Sequence, residues 1–196
     1  IAKVIADGGH DVTLWSRREE LAKEISQTGR NGEYLPGIDL PKNLTATSSI
    51  EDALSGAKQI YIAIPSQSLR ESLAQWKPLI SNSSTLISLM KGLEQGTGLR
   101  MSEVIAEVLE CDSERVAVIS GPNLALEIAK REPAAAVCAG ESQERTTEVA
   151  RVCSSEYFTV FTNRDLIGTE LGGVLQTLLA GAIGIVNGLG YGQNTK

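Results

Sequence analysis

The fold is decided by the segment from Gln59 to Leu89, QIYIAIPSQSLRESLAQWKPLISNSSTLISL. Residues 59–64 and 85–89 are short, largely apolar runs of the kind found in strands that are covered on both faces. The residues between them, 68–79, have the length and pattern of a helix. A strand, a helix and a second strand in this order predict a βαβ unit, in which the two strands are parallel.

The same alternation extends along most of the chain. Further strands are predicted at 11–15, 116–119, 134–139 and 158–161, and further helices at 17–28, 99–110, 123–131 and 142–153. Such an alternation indicates a doubly wound, Rossmann-like α/β fold, whose parallel sheet carries helices on both faces. We therefore predict that residues 1–163 form one domain of this class.

Both ends of the chain depart from this pattern. Residues 1–7 have the pattern of a helix that Gly8 and Gly9 end, whereas in nucleotide-binding βαβ units this helix follows a strand and a G-x-G-x-x-G turn. We therefore expect the first strand and its phosphate loop to be missing from the chain as given. Residues 164–196 contain a long apolar helix, which we expect to begin a second, all-helical domain that is also truncated.

The composition excludes several classes of protein. The 196 residues carry a net charge of −6, which argues against a nucleic-acid partner, because phosphate backbones are bound by clustered Lys and Arg. Three cysteines without a C-x-x-C motif fit reduced thiols in a cytoplasmic protein. His10 is the sole histidine, so no metal site is expected.

One segment requires a test for membrane insertion. Residues 171–189 carry no charge, and a run of this length is a candidate for a membrane span. The run contains five glycines together with Gln176, Thr177 and Asn187, and Glu170 immediately precedes it. We therefore expect a buried helix of a soluble protein and no stable membrane insertion.

Two arginines follow the strand predicted at 11–15. In dinucleotide folds this position faces the adenosine ribose, where a carboxylate selects NAD and an arginine accommodates the 2′-phosphate of NADP. Arg17 and Arg18 therefore predict NADP binding. Ser16 and Glu19 have the spacing of a capping box, so the same residues also fit a plain helix start, and the two interpretations are compatible.

Other candidates lie at the ends of later strands, where ligands of such sheets bind. Pro65 would line the cofactor cleft, although proline is also a routine strand terminator. Lys91 follows a buried strand, and its ammonium could bind a phosphate or polarise a carbonyl group; a solvated loop lysine fits the sequence equally well. Gly121 and Pro122 predict a tight turn, and Asn123 is a good N-cap for the next helix.

Several segments in this order resemble the bacterial NAD(P)-dependent glycerol-3-phosphate dehydrogenases. The matching segments are GHDVTLWSRR, NGEYLPGIDLP, IAIPSQ, SLMKGLE with MSEVI, ISGPNLALEIA, TNRDLIGTELGGVL and GLGYGQNTK. The similarity covers essentially the whole chain. It implies a cofactor domain at 1–163 and the beginning of a helical substrate domain at 164–196.

The resemblance also implies roles for individual residues. Arg17, Arg18 and Tyr34 would contact the adenosine end of NADP, with NAD as the other possible cofactor, and Ala125 would contact the nicotinamide end. Lys91 would touch both cofactor and substrate. Gly121 and Asn123 would lie at a small phosphorylated substrate, and Asn123 replaces the Ser or Thr that is usual in the family.

One departure from the family pattern affects the chemistry. After ELGG the family has a segment like ALKN, whose lysine donates and accepts the catalytic proton, whereas this chain has Gln176 at that position. A neutral amide does not titrate near pH 7 and cannot act as a general acid.

Three hypotheses follow from this departure. The first is a dehydrogenase that interconverts dihydroxyacetone phosphate and glycerol 3-phosphate for glycerophospholipid synthesis, with Lys91 as a stand-in for the missing acid. The second is a catalytically impaired, NADP-binding module. The third is a relative that acts on another small substrate. The sequence leaves a homodimer open.

Overall fold

The computed structural model describes residues 1–192, apart from the side chain of Thr177. The strands are β1 (Val12–Trp15), β2 (Leu44–Thr47), β3 (Gln59–Ile62), β4 (Thr85–Ser88), β5 (Val116–Ser120), β6 (Ala134–Gly140) and β7 (Phe158–Asn163). The α-helices are α1 (Ala2–Asp7), α2 (Glu19–Thr28), α3 (Ile50–Leu54), α4 (Leu69–Trp76), α5 (Met101–Leu109), α6 (Ala125–Ala129), α7 (Gln143–Cys153) and α8 (Leu166–Gly188). Each strand and helix predicted from the sequence is present, with bounds shifted by a few residues.

The strands form two hydrogen-bonded groups. β1 pairs with β2, and β3 to β7 form a five-stranded sheet in chain order. The pairs β1–β2, β3–β4, β4–β5 and β6–β7 are parallel, which confirms the predicted class of sheet.

The pairing of β5 with β6 is antiparallel, so the sheet is mainly but not wholly parallel. The connection at 121–133 contains only the short helix α6 and does not cross back over the sheet, so β6 must run in the opposite direction. The apolar residues of a buried strand look the same in either direction, and the sequence pattern could not reveal the reversal.

Strand β2 and helix α3 were not predicted from the sequence. The four residues of β2 are LTAT, and Leu44 is the one buried residue among them. A strand at the edge of a sheet needs little apolar surface, so it leaves a weak signal in the sequence. Helix α3 is similarly short, and it is capped by Ser49, whose hydroxyl accepts a hydrogen bond from the Asp52 amide at 3.0 Å.

A groove separates the two groups of strands. It has a volume of about 960 Å³ and is lined on one side by β1 and on the other by β3. Within the described residues, no backbone hydrogen bonds of the sheets join β1 to β3. A strand before α1 stays a prediction from the sequence.

Helices cover both faces of the five-stranded sheet, as predicted. Alternate residues of a strand point to opposite faces, so Leu86 packs in the cluster with α4 and α5, whereas Ile87 packs in the cluster with α1 and α7. Both side chains are completely buried. Burial of an aliphatic side chain of this size stabilises a fold by about 1.5–3 kcal/mol, and the two clusters therefore hold the sheet between its helices.

Helix α8 differs from the other helices in its surroundings. Its first turns pack against β5 and β6, and Glu170 is buried there. Farther along, its apolar side chains are exposed, including Leu178, Leu179 and Ile185. By length and composition α8 is the one helix in residues 1–192 that could cross a membrane.

Candidate active site

The ends of β3, β4 and β5 bring the sequence candidates to one edge of the sheet. These strands are parallel neighbours, and Pro65 and Lys91 follow β3 and β4, while Ser120 ends β5. Pro65, Lys91 and Ser120 therefore share the carboxyl edge of the sheet. A Cβ built on Gly92 would lie 3.0 Å from the Ser66 hydroxyl, so the loop after Lys91 lies directly against the turn after Pro65.

The Lys91 side chain joins three elements. Its Nζ donates hydrogen bonds to the Gly121 carbonyl oxygen at 3.1 Å and to Gln176 Oε1 at 3.0 Å. The second bond reaches α8, so the structure brings together Lys91, Gly121 and Gln176, which are far apart in the sequence. Lys91 is exposed, and these two hydrogen bonds hold its ammonium group at the edge of the sheet, so its role in binding stays a prediction.

A glycine allows α8 to approach this closely. A Cβ built on Gly173 would lie 2.7 Å from Ser120 Oγ and 3.5 Å from Lys91 Cγ. Contacts below 3.0 Å are essentially never seen for a real Cβ, so a larger residue at 173 would displace Ser120 or the helix. The glycine places Gln176, one turn later, beside the Lys91 ammonium.

A buried carboxylate fixes the beginning of α8. Glu170 accepts hydrogen bonds from Arg100 Nη1 at 2.7 Å, from the Ser102 amide at 3.0 Å and from the Ser102 hydroxyl at 2.5 Å. Its side chain is 5% exposed, and all of these donors lie at the start of α5. The sequence analysis did not identify this cluster, although a single carboxylate in an otherwise apolar helix is a signal for it.

An ion pair between Arg70 and Glu94 also holds the loop that carries Lys91. Arg70 binds both carboxylate oxygens of Glu94, at 2.8 and 3.0 Å, and the Thr97 hydroxyl adds a third hydrogen bond at 2.6 Å. These donors, Arg70 first, lower the pKa of Glu94 to about 2. Gln67 donates to the Leu93 carbonyl at 2.9 Å, so the backbone beside Lys91 is tied to the turn after β3.

A second cluster lies after β1. Arg18 Nη2 lies 2.7 Å from Glu33 Oε2 and donates to the Tyr34 hydroxyl at 3.3 Å, and the guanidinium carbon is 5.6 Å from the centre of the Tyr34 ring. The neighbouring Arg17 makes no ion pair within the described part of the chain. The sequence analysis missed Glu33.

The two N-caps predicted from the sequence were wrong. Arg18 precedes the first residue of α2, and the Ser16 hydroxyl accepts from the Arg18 amide at 3.2 Å instead of capping with Glu19. Asn123 is not a cap, because its backbone N–H donates a hydrogen bond to the Gly121 carbonyl oxygen in a tight turn. Helix α6 therefore begins only at Ala125. In both cases the residue makes a hydrogen bond within a local turn, and it does not cap the helix.

A cavity of about 290 Å³ lies beside Asn123 and Ala125 and extends to Asn31 and Leu35 in the loop that carries Tyr34. Leu89 and the first residues of α1 complete its mostly apolar wall. A mostly apolar cavity with a few polar groups is typical of cofactor sites, and the polar residues that line this one are Lys3, Asn31 and Asn123. Within residues 1–192 no cluster of His, Cys, Asp and Glu side chains could hold a metal ion.

Comparison with known proteins identifies a family for this chain. Residues 1–146 match the sequence profile of the NAD-dependent glycerol-3-phosphate dehydrogenase N-terminus. A glycerol-3-phosphate dehydrogenase [NAD(P)+] from Leifsonia xyli is 54% identical over 195 residues, and one from Corynebacterium glutamicum is 53% identical over 196 residues. Both matches cover 100% of this chain but only 53% and 59% of the relative.

Solved structures show the same similarity in three dimensions. The crystal structure of a glycerol-3-phosphate dehydrogenase from Coxiella burnetii superimposes with a TM-score of 0.89 at 35% identity, covering 98% of this chain and 58% of that one. The enzyme from Plasmodium falciparum gives a TM-score of 0.91 at 26% identity, covering 100% and 57%. The chain thus spans between half and two thirds of the length of the relatives that it matches.

Proposed function

Since the chain belongs to the family of NAD-dependent glycerol-3-phosphate dehydrogenases, we propose that the protein containing it interconverts dihydroxyacetone phosphate and glycerol 3-phosphate. The observation that carries this proposal is the meeting of Lys91, Gly121 and Gln176 at the carboxyl edge of the sheet. Ligands of open α/β sheets bind at this edge, and a fixed ammonium group there suits a substrate that bears a phosphate and a carbonyl group.

The residues of this edge would share the work of binding and charge stabilisation. A bound nicotinamide cofactor supplies or accepts the hydride. Lys91 is held by two acceptors, so its ammonium is already oriented to stabilise the negative charge that develops on the substrate oxygen. Gly121 and Asn123 would contact the substrate, and Ala125 and Pro65 would line the nicotinamide side of the cleft.

We propose NADP as the preferred cofactor, with NAD as a second one. Arg17 and Arg18 stand where a carboxylate would select NAD, and Tyr34 offers a ring against which the adenine can stack. The cavity beside Asn31 and Asn123 has a mostly apolar wall with a few polar groups, which supports the binding of a cofactor there.

A catalytically impaired NADP-binding module is the second candidate function, and Gln176 favours it. The amide oxygen of Gln176 accepts a hydrogen bond from Lys91, so this side chain orients the lysine but cannot itself transfer a proton. In the dehydrogenase, Lys91 would therefore have to supply the proton as well. The two candidates differ in turnover and agree in cofactor binding.

The wider setting follows from the same family. We propose that the protein is a soluble, cytoplasmic enzyme of glycerophospholipid synthesis that takes a small phosphorylated substrate and no nucleic acid, and that a homodimer is its assembly. Residues 164–196 would begin a helical substrate domain that covers the exposed apolar face of α8 without insertion into a membrane. A strand in the groove between β1 and β3 would complete the sheet at 1–163.

Oxidation of NADPH by the full protein in the presence of dihydroxyacetone phosphate tests the proposal. We expect turnover by the parent and its loss in Lys91→Gln, with Lys42→Gln as a control that removes an exposed lysine before β2. Gln176→Lys restores the acid that the family uses and should raise kcat by about 10²-fold, since a positioned acid is worth ~10²–10⁴-fold.

The other outcomes identify the alternatives. If Lys91→Gln abolishes turnover and Gln176→Lys changes nothing, Lys91 alone transfers the proton. If both the parent and Gln176→Lys bind NADPH but do not oxidise it with dihydroxyacetone phosphate, the binding module is the correct function.

A further inference from the structure

The Arg18 guanidinium already has an anionic partner. Glu33 Oε2 lies 2.7 Å from Arg18 Nη2, and the two side chains are 46% and 52% exposed, so the pair is open to solvent and to a ligand. The hydrogen bond from Arg18 is the main cause of a lowered pKa for Glu33. Any second anion at Arg18 therefore meets a carboxylate that already binds there.

The loop backbone holds Glu33 in this place. The Gly32 amide donates to Glu24 Oε1 at 3.1 Å, and the Tyr34 amide donates to Asn31 Oδ1 at 3.1 Å. Both neighbours of Glu33 are thus anchored, one to helix α2 and one to the loop itself. The Tyr34 ring, which lies beside the Arg18 guanidinium, supports the pair from a second side.

We propose that Glu33 sets the cofactor specificity of this site by acting as a counter-ion to Arg18, which weakens the preference for the 2′-phosphorylated cofactor. The inference rests on the proposed function, because it takes the adenosine end of the cofactor to bind at Arg18. A 2′-phosphate must displace Glu33 from Arg18 or share the guanidinium with it, and in either case it lies close to a like charge. A 2′-hydroxyl makes no such demand.

Removal of the carboxylate should therefore act on one cofactor and spare the other. In Glu33→Gln the side chain keeps its size and its hydrogen-bonding capacity but loses its charge. We expect the Kd for NADPH to fall by about two- to fivefold, the range that exposed ion pairs typically cover, while the Kd for NADH stays the same within experimental error. Added salt should narrow the difference between variant and parent, because the effect is electrostatic.

Titration of the full protein with NADPH and NADH measures these constants without a need for turnover. Asp39→Asn is the matched control, since Asp39 also pairs with an arginine, Arg30, at 2.7 Å and is exposed on the same loop. This variant removes the same charge and should leave the ratio of the two constants unchanged. 2′,5′-ADP and 5′-AMP serve as probes that carry the adenosine end alone, and Glu33→Gln should tighten the first without changing the second.

A double variant tests whether Glu33 acts through Arg18. In an Arg18→Gln background, Glu33→Gln should lose most of its effect on NADPH. An equal change for NADPH and NADH, no change at all, or a full effect without Arg18 would overturn the inference. Binding of both cofactors without turnover of dihydroxyacetone phosphate would refute the proposed function, and the ratio of the Kd values for NADPH and NADH would still test the role of Glu33. Failure to bind either cofactor would overturn both the proposed function and the role of Glu33.

Discussion

Two adjacent glycines in α8 have opposite surroundings. Gly173 is buried against Ser120 and Lys91, and a Cβ there would lie 2.7 Å from Ser120 Oγ. Gly172 faces solvent, and a Cβ built on it would meet no heavy atom within 4 Å. Substitutions at these two positions can therefore distinguish the effect of the close approach of α8 from the general effect of glycine on helix stability.

We predict that Gly173→Ala lowers kcat/KM by about 10²-fold, because a small displacement of positioned groups can cost that much. It should also cost about 1–3 kcal/mol of stability through overpacking. Gly172→Ala is the control and should keep full activity, with a gain of about 0.5–1 kcal/mol from helix propensity. Steady-state kinetics and thermal unfolding of the full protein check both values. Equal activity of the two variants would show that α8 does not need its close contact with β5.

At the scale of elements, α8 is attached to α5 by a single carboxylate. Glu170 satisfies three donors at the start of α5, and the site residue Gln176 lies farther along the same helix. The Arg100 side chain is only 15% exposed, and Glu170 is the more buried of its two carboxylate partners. Glu170 therefore contributes to the position of α8, and with it of Gln176, from outside the candidate site.

We predict that Glu170→Ala destabilises the protein by about 3–5 kcal/mol, since it leaves a mostly buried arginine without its buried partner. The control is Glu103→Ala, because Glu103 pairs with the same arginine at 2.9 Å but is 42% exposed. That variant should cost no more than about 2 kcal/mol, from the pair and its N-terminal hydrogen bond. Urea unfolding measures both. Similar losses for the two variants would contradict the importance of Glu170 as the buried partner of Arg100.

At the scale of the whole molecule, Asp7 links the beginning of the chain to its later strands. Its carboxylate accepts hydrogen bonds from Lys3 Nζ and the Tyr157 hydroxyl, both at 2.6 Å, and from Arg131 Nη2 at 3.2 Å. Burial of the carboxyl group raises the pKa of Asp7, but these donors together outweigh burial and leave the pKa below its ordinary value. Helix α1 is thereby joined to residues that precede β6 and β7.

The sign of the pH dependence follows from this lowered pKa. A carboxylate with a lower pKa in the folded state contributes stability above its unfolded pKa, about 4, and this contribution is lost as the pH falls through the folded pKa. We predict that Asp7→Asn is about 1–3 kcal/mol less stable than the parent at neutral pH, and that the difference shrinks below about pH 4. Asp52→Asn, which removes an exposed carboxylate in α3, should show little difference at any pH. A constant difference between Asp7→Asn and the parent across this range would exclude an ionic origin.

The sequence by itself determined the class of fold and the edge where the site lies. Burial on both faces makes strands apolar, and helices that cover them repeat every 3.6 residues, so the alternation is visible residue by residue. Pro65, Lys91 and Gly121 could be placed at one edge because parallel strands end together. The expectation that Gln176 replaces a family lysine came from the resemblance to the family, which depends on residue type alone.

The tertiary structure alone decided how distant residues meet. No local sequence pattern predicts a contact between segments that are distant along the chain. Such contacts include the antiparallel pairing of β6 with β5, the hydrogen bond from Lys91 to Gln176, the burial of Glu170 against Arg100 and the pairing of Arg18 with Glu33. The predicted helix N-caps at Ser16 and Asn123 were wrong because each residue forms a local turn instead. Local helix propensity is a weak preference that contacts in the folded chain override. Burial, in contrast, favours apolar residues at each buried position, so its pattern is visible in the sequence.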